Sequence, residues 1–146
     1  MRIAVDTSIL ISHLRGDEFS KSTHNFLKHT RRARHHLVMS DVAYAELYAG
    51  IHLADDPALE ERHVQRLLSV NRIETRLTGS LEVPRRAGEL YARYLEKKGG
   101  EVRRILPDFL IGAHAELYSD RFITWNPQDF KNILRIQVST PNDFAS

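Results

Sequence analysis

Asp6 ends the opening run "MRIAVD" and is followed at once by two hydroxyl residues, Thr7 and Ser8. Asp108 comes directly after Pro107 in "LPDFLIGAHAEL", and "TWNPQDF" supplies Thr124, Asn126 and Asp129. Glu46 lies inside "SDVAYAELYAG". On a helical wheel at about 100° per residue, it falls between Leu53 and Gly50, in the arc that also holds Val42, Ala43 and Leu47. An acid on the apolar side of a helix needs a partner, a proton or a cation. Each feature alone has an ordinary use. Asp6, Thr7 or Ser8 serves as a helix cap, and Glu46 as a salt-bridged side chain at the edge of a stripe. Asp108 suits the helix dipole, and Thr124 to Asp129 suits a turn. Brought to one crevice, these oxygen donors would repel one another unless a cation sat among them. A set with no cysteine and no HExxH pair favours Mg²⁺ or Mn²⁺ over zinc.

The elements that must position these groups follow from periodicity. Arg2 to Asp6 reads as a short buried strand, Thr7 to Leu14 as a helix, and Phe19 to Arg32 as a second helix. His36 to Met39 forms a strand, Ser40 caps a helix reaching about Leu53, and Pro57 to Val70 forms the next helix. Arg72 to Leu77 is a third, more exposed strand. A helix from about Pro84 to Lys98 is ended by Gly99 and Gly100, and Pro107 opens a helix reaching Tyr118. Arg121 to Thr124 and Arg135 to Val138 complete five strands. Apolar strands alternating with helices predict an α/β/α three-layer sandwich around a mostly parallel five-stranded sheet, with ligands gathered beyond the carboxyl ends of the strands.

Bulk properties agree with one domain over residues 1–146. The 42% hydrophobic content supports a real core, and the net charge of +2, with eight histidines in reserve, permits a polyanionic partner without demanding one. The absence of cysteine removes disulfides, thiol nucleophiles and thiolate metal sites. No stretch approaches the roughly 18 apolar residues of a membrane span, so a soluble, cytoplasmic protein is expected.

Four segments in order, "MRIAVDTSILISHLRGD", "SDVAYAELYAG", "AGELYARYLEKKGG" and "LPDFLIGAHAELYSDRFITWNPQDF", resemble the PIN-domain family, most closely its VapC-type toxin ribonucleases. The resemblance spans nearly the whole chain. It implies an acid cluster that binds Mg²⁺ or Mn²⁺ and cuts RNA, with Asp6, Glu46 and Asp108 as metal-binding and catalytic acids. Thr7 or Ser8 and Thr124 match the hydroxyls beside the site. Asn126 matches the fourth catalytic position, where many relatives carry Asp, and this leaves the last ligand open between Asn126 and Asp129. The family also implies a VapB-type antitoxin partner and a homodimer, for which the face around Tyr44, Tyr48 and Ile51 is a candidate.

Two basic runs are candidates for a phosphate backbone: Arg31 to His36, and the set Lys97, Lys98, Arg103 and Arg104, which leads directly into Asp108. Tyr91, Tyr94 and Trp125 are either base-stacking or core residues. The histidines form no metal pair or triad in the sequence and read as surface or packing residues. Two other classes compete. "DTS" resembles part of a haloacid-dehalogenase phosphatase motif but lacks its second acid, since Ser8 stands there. A catalytically idle PIN-fold binding module and a housekeeping RNA-processing nuclease are the remaining alternatives. No GxGxxG or GxxxxGKS/T phosphate loop is present.

Overall fold

The computed structural model describes residues 1–97 and 104–145. Five short strands build one sheet: β1 (Arg2–Val5), β2 (His36–Ser40), β3 (Glu74–Arg76), β4 (Arg121–Ile123) and β5 (Gln137–Ser139). Seven helices connect and flank them: α1 (Thr7–Arg15), α2 (Ser20–Arg32), α3 (Asp41–Leu53), α4 (Pro57–Val70), α5 (Glu82–Lys97), α6 (Leu106–Tyr118) and α7 (Pro141–Ala145). The strand order is β3-β2-β1-β4-β5, and every pairing is parallel.

The pattern of burial explains the architecture. Ile3, Ala4 and Val5 in β1 and Leu37, Val38 and Met39 in β2 are buried, consecutive residues and not alternate ones. Successive side chains of a strand point to opposite faces, so both faces of the sheet must be covered by helices. The helix α6 packs on β1, β2 and β4 with α5 against it, while α1 packs on α2 and α2 on α7. Phe109 on α6 is fully buried among Tyr91, Tyr94 and Phe130. Gly112, one turn further on, leaves Phe130 room: a Cβ there would lie 3.3 Å from the ring.

Local signals place the helix ends. Ser40 caps α3 by accepting the Ala43 N–H at 3.0 Å, and Asp56 caps α4 through the Leu59 N–H. Gly16, with φ +62°, ends α1 in the left-handed conformation. Three sequence expectations shift. The third strand shortens to Glu74–Arg76 because Arg72, with φ +52°, is still part of the turn out of α4. The fifth begins at Gln137, and the short helix α7 after it carries no sequence signal long enough to register a period. Lys98, Gly99 and Gly100, expected to end α5, lie outside the described residues. No described helix is long and apolar enough to cross a membrane.

The order of strands matters for function. From β1 the sheet grows one way through β2 to β3 and the other way through β4 to β5. A crevice therefore opens between the carboxyl ends of β1 and β4, where the connections diverge.

A test of the packing follows from Phe109. Phe109→Ala is expected to destabilise the fold by about 3–5 kcal/mol, whereas Leu53→Ala, at a side chain that is 86% exposed, should stay within about 0.5 kcal/mol. Urea denaturation of both variants checks the difference.

Candidate active site

Asp6 sits in the crevice between β1 and β4, one residue beyond the end of β1. Its backbone N–H continues the sheet by donating to the Ile123 carbonyl at 3.0 Å, and its extended conformation starts α1 as the N-cap. Three donors hold the carboxylate. Oδ1 accepts the Thr7 N–H at 2.8 Å, and Oδ2 accepts the hydroxyls of Ser8 at 2.9 Å and Thr124 at 2.8 Å. Thr124, fully buried after β4, accepts the Asn126 N–H on the same oxygen at 3.1 Å, and Ser8 accepts the Trp125 N–H at 3.2 Å. The chain after β4 is thus folded around the hydroxyls that hold Asp6.

Glu46 reaches the same place from α3. Its Oε1 accepts the Thr7 hydroxyl at 2.8 Å. The wheel expectation for Glu46 needs correction. The buried side of α3 is Ala43, Leu47 and Ile51, while Glu46, Gly50 and Leu53 are exposed. Glu46 lies at the flank of the stripe, with an exposed stem and a carboxylate brought down onto Thr7. Asp108 stands in the first turn of α6 and its Oδ2 accepts the Ile105 N–H at 3.0 Å. The helix cap expected for a first-turn acid is therefore real, and one oxygen remains for other work.

Two of the acids, Asp6 and Glu46, lie in surroundings that disfavour their charge. Burial pushes the Asp6 carboxyl above its ordinary value of 3.8, the hydrogen bonds from Thr124, Ser8 and Thr7 pull it down, and the charge of Asp108 adds to the rise. Burial also raises Glu46 above 4.5, against the Thr7 hydroxyl bond, with the charges of Asp6 and Asp108 adding to it. Desolvation is the larger cause at both carboxyls, and the neighbouring negative charges add to it. Among the described residues, no group of three His, Cys, Asp or Glu side chains is arranged to hold a metal ion. An open set of oxygen donors matches a hard cation that keeps several of its own waters.

The other sequence candidates divide. Thr7, Ser8 and Thr124 all join the cluster. Asn126 contributes its backbone N–H and stands half-buried at the start of the 3-10 turn Pro127–Asp129; the side chain of Asp129 lies outside the described residues. Lys97 ends α5, and Arg104 lies over the Phe130 ring with its N–H on the Tyr94 hydroxyl. Lys98 and Arg103 are outside the described residues. The run Arg31 to His36 turns the corner from α2 into the start of β2, at the opposite end of the strands from Asp6.

The aromatic candidates are packing residues. Tyr94 is buried, Tyr91 packs on Phe109, and Trp125 stacks on Phe19 with its Nε1–H on Thr23. Of the suggested dimer face, Ile51 is only 2% exposed and belongs to the core, which leaves Tyr44 and Tyr48 at the surface.

The raised Asp6 value carries a stability consequence. The folded state holds the Asp6 proton more tightly than the unfolded chain, so the penalty for ionising it is absent below the ordinary value of 3.8 and complete above the raised one. In EDTA, Asp6→Asn is expected to raise the thermal midpoint at neutral pH, and the gain should vanish as the pH falls below the ordinary carboxylate range. Thermal unfolding of both proteins across that range checks it; an Asp6→Asn midpoint below the parent's at neutral pH would contradict the assignment.

Comparison with known proteins gives a consistent answer. The PIN domain family model matches residues 3–135. Ribonuclease VapC10 of Mycobacterium tuberculosis is 33% identical over 128 residues, which covers 88% of this chain and 85% of that protein. Among solved structures, VapBC2 from Rickettsia felis, bound to a DNA fragment from its promoter, matches with a TM-score of 0.76 at 24% identity over 96% of this chain and 98% of that one. FitAcB from Neisseria gonorrhoeae matches with a TM-score of 0.69 at 23% identity, over 95% and 97%. The structural likenesses establish the fold, and the family model with the VapC relative establishes the lineage: this chain belongs to the PIN-domain family, in its VapC-type branch.

Proposed function

We propose that this chain is a metal-dependent endoribonuclease that hydrolyses RNA phosphodiester bonds, and that it is the toxin of a VapBC-type toxin–antitoxin pair. The observation that carries the reading is the grouping of acids at the β1–β4 crevice: Thr7 links Asp6 to Glu46 by hydrogen bonds, and the charge of Asp108 is felt at both. The relationship to Ribonuclease VapC10 supports RNA as the substrate class. Asp6, Glu46 and Asp108 are assigned to the cation, directly or through water. Mg²⁺ or Mn²⁺ there would lower the pKa of a bound water and neutralise charge on the phosphodiester.

The chain's own residues supply order. The hydroxyls of Ser8 and Thr124 share Asp6 Oδ2 and fix which carboxylate lone pairs face the crevice. Thr7 holds Glu46 while its N–H holds Asp6, so one residue sets the spacing between two acids. Asn126 is assigned to orient a water or a phosphate oxygen, with Asp129 as the other candidate for the last position. Lys97 and Arg104, on either side of the approach to α6, are assigned to the RNA backbone. Residues 1–146 act as one catalytic unit in the cytoplasm. The VapBC complexes among the solved relatives support a VapB-type antitoxin partner, and Tyr44 and Tyr48 remain the surface for a homodimer.

The test uses purified protein with a mixed pool of structured and single-stranded RNAs, in Mg²⁺, in Mn²⁺ and in EDTA. Cleavage is expected with either metal and not in EDTA. Thr124→Val, which removes a hydroxyl from behind an assigned metal-binding carboxylate, should lower the rate by about 10–100-fold, and Asp6→Asn or Asp108→Asn should lower it further. If parent and variants bind RNA alike and none cuts it under any condition, the reading fails in favour of an idle PIN-fold binding module.

A further inference from the structure

A second polar concavity lies at the other end of α1. Where the last turn of α1 meets α2 and α4, a cavity of about 350 Å³ is lined by His13 of α1, His24 and Arg31 of α2, and His63 and Arg66 of α4. Leucine and valine side chains complete the wall, and none of the lining residues is acidic. The His13 and His24 rings stack almost parallel, 9° apart, with centroids separated by 6.1 Å. Five nitrogen-bearing side chains from three helices have been folded toward one space.

Two of the five, Arg31 and Arg66, carry permanent positive charge. Among the described residues, only two of the five meet a polar partner. Arg31 donates through Nη1 to the Asn71 Oδ1, and His63 Nδ1 lies 4.0 Å from Glu60 Oε2. The Asn71 contact is a support: Asn71 is buried and anchored by its own Nδ2–H on the Leu67 carbonyl at 2.8 Å, so it fixes the Arg31 guanidinium at the cavity wall. His24, Arg31, His63 and Arg66 are exposed and His13 is half-buried, so the groups are open to a ligand from solvent.

We propose that this cavity binds a phosphate group. A guanidinium presents a planar fork of donors that matches phosphate oxygens. Imidazoles add the capacity to take up protons when the anion arrives. Burial holds His13 below its ordinary value of 6.5, and the charges of His24 and Arg31 lower it further. An anion between these groups reverses both charge effects. A transition-metal ion is the poorer occupant, because Arg31 and Arg66 repel it.

The phosphate has two sources: a free phosphate or nucleotide, or the backbone of a bound nucleic acid. His13 is six residues along α1 from Thr7, roughly 9 Å at 1.5 Å per residue, which is within reach of an RNA strand held at the acids. That second source alone rests on the ribonuclease reading; the site itself does not.

The experiment measures binding and not cleavage. Inorganic phosphate and a 2′-deoxy oligonucleotide are titrated by calorimetry, with histidine ring signals followed by NMR, into the Asp6→Asn protein and into the same protein carrying His24→Asn and Arg66→Gln. At least one probe should weaken by about tenfold or more in the altered protein, and the His13 and His24 signals should move on binding to the parent. Loss of inorganic phosphate binding assigns a free phosphate source, and loss confined to the oligonucleotide assigns the backbone. Affinities unchanged for both probes, or poly-glutamate binding as tightly as either, would overturn the proposal. His63→Gln provides the same reading should the double variant fail to fold. A chain that binds phosphate here but cuts no RNA would sink the ribonuclease reading and leave this one standing.

Discussion

The structure turns on one carboxylate held between two strands. Asp6 leaves the sheet at the point where its two halves diverge, and it is tied to β1 through the chain, to α1 through the Thr7 N–H and to β4 through the Thr124 hydroxyl. Without those donors a carboxylate in such surroundings would be protonated or would have to move. Donation from Ser8 and Thr124 to the same oxygen keeps it charged enough to be useful and fixed enough to be precise. The hydrogen bonds do not fully offset the cost of burial, since Asp6 remains raised.

The neighbouring acids extend this logic. Glu46 shares Thr7 with Asp6, and Asp108 spends one carboxylate oxygen on capping α6. Local helix chemistry and site chemistry are therefore the same bonds seen from two sides. This accounts for the fact that each acid, read alone, looks like an ordinary cap or surface charge.

Much of the site was legible in the sequence because its members sit next to strong local signals. A short apolar strand ending in "DTS" and the Pro–Asp start of α6 fix Asp6 and Asp108 to within a residue. Glu46 was found for a reason only partly right: the helical wheel put it within the apolar arc, whereas the packing of α3 turns that arc toward Ile51 and leaves Glu46 on the flank. Periodicity sets the face of a helix but not its rotation against neighbours. The histidines illustrate the other limit. His13, His24 and His63 lie on three different helices, and nothing in the chain links them until α1, α2 and α4 pack together. The helix α7 and the short β3 escaped or blurred because five residues and three residues are too few to show a period.

The parallel arrangement of β1 and β4 has a consequence for how the protein is made. β1 precedes β4 in the chain, yet the Asp6 N–H finds its partner in Ile123, and one of the three donors to the Asp6 carboxylate is Thr124, 118 residues further on. Contacts of such large sequence separation form late and slowly. A ribosome-bound fragment ending before β4 lacks the Thr124 and Ile123 bonds to Asp6, so that carboxylate reaches its final setting only after β4 pairs with β1.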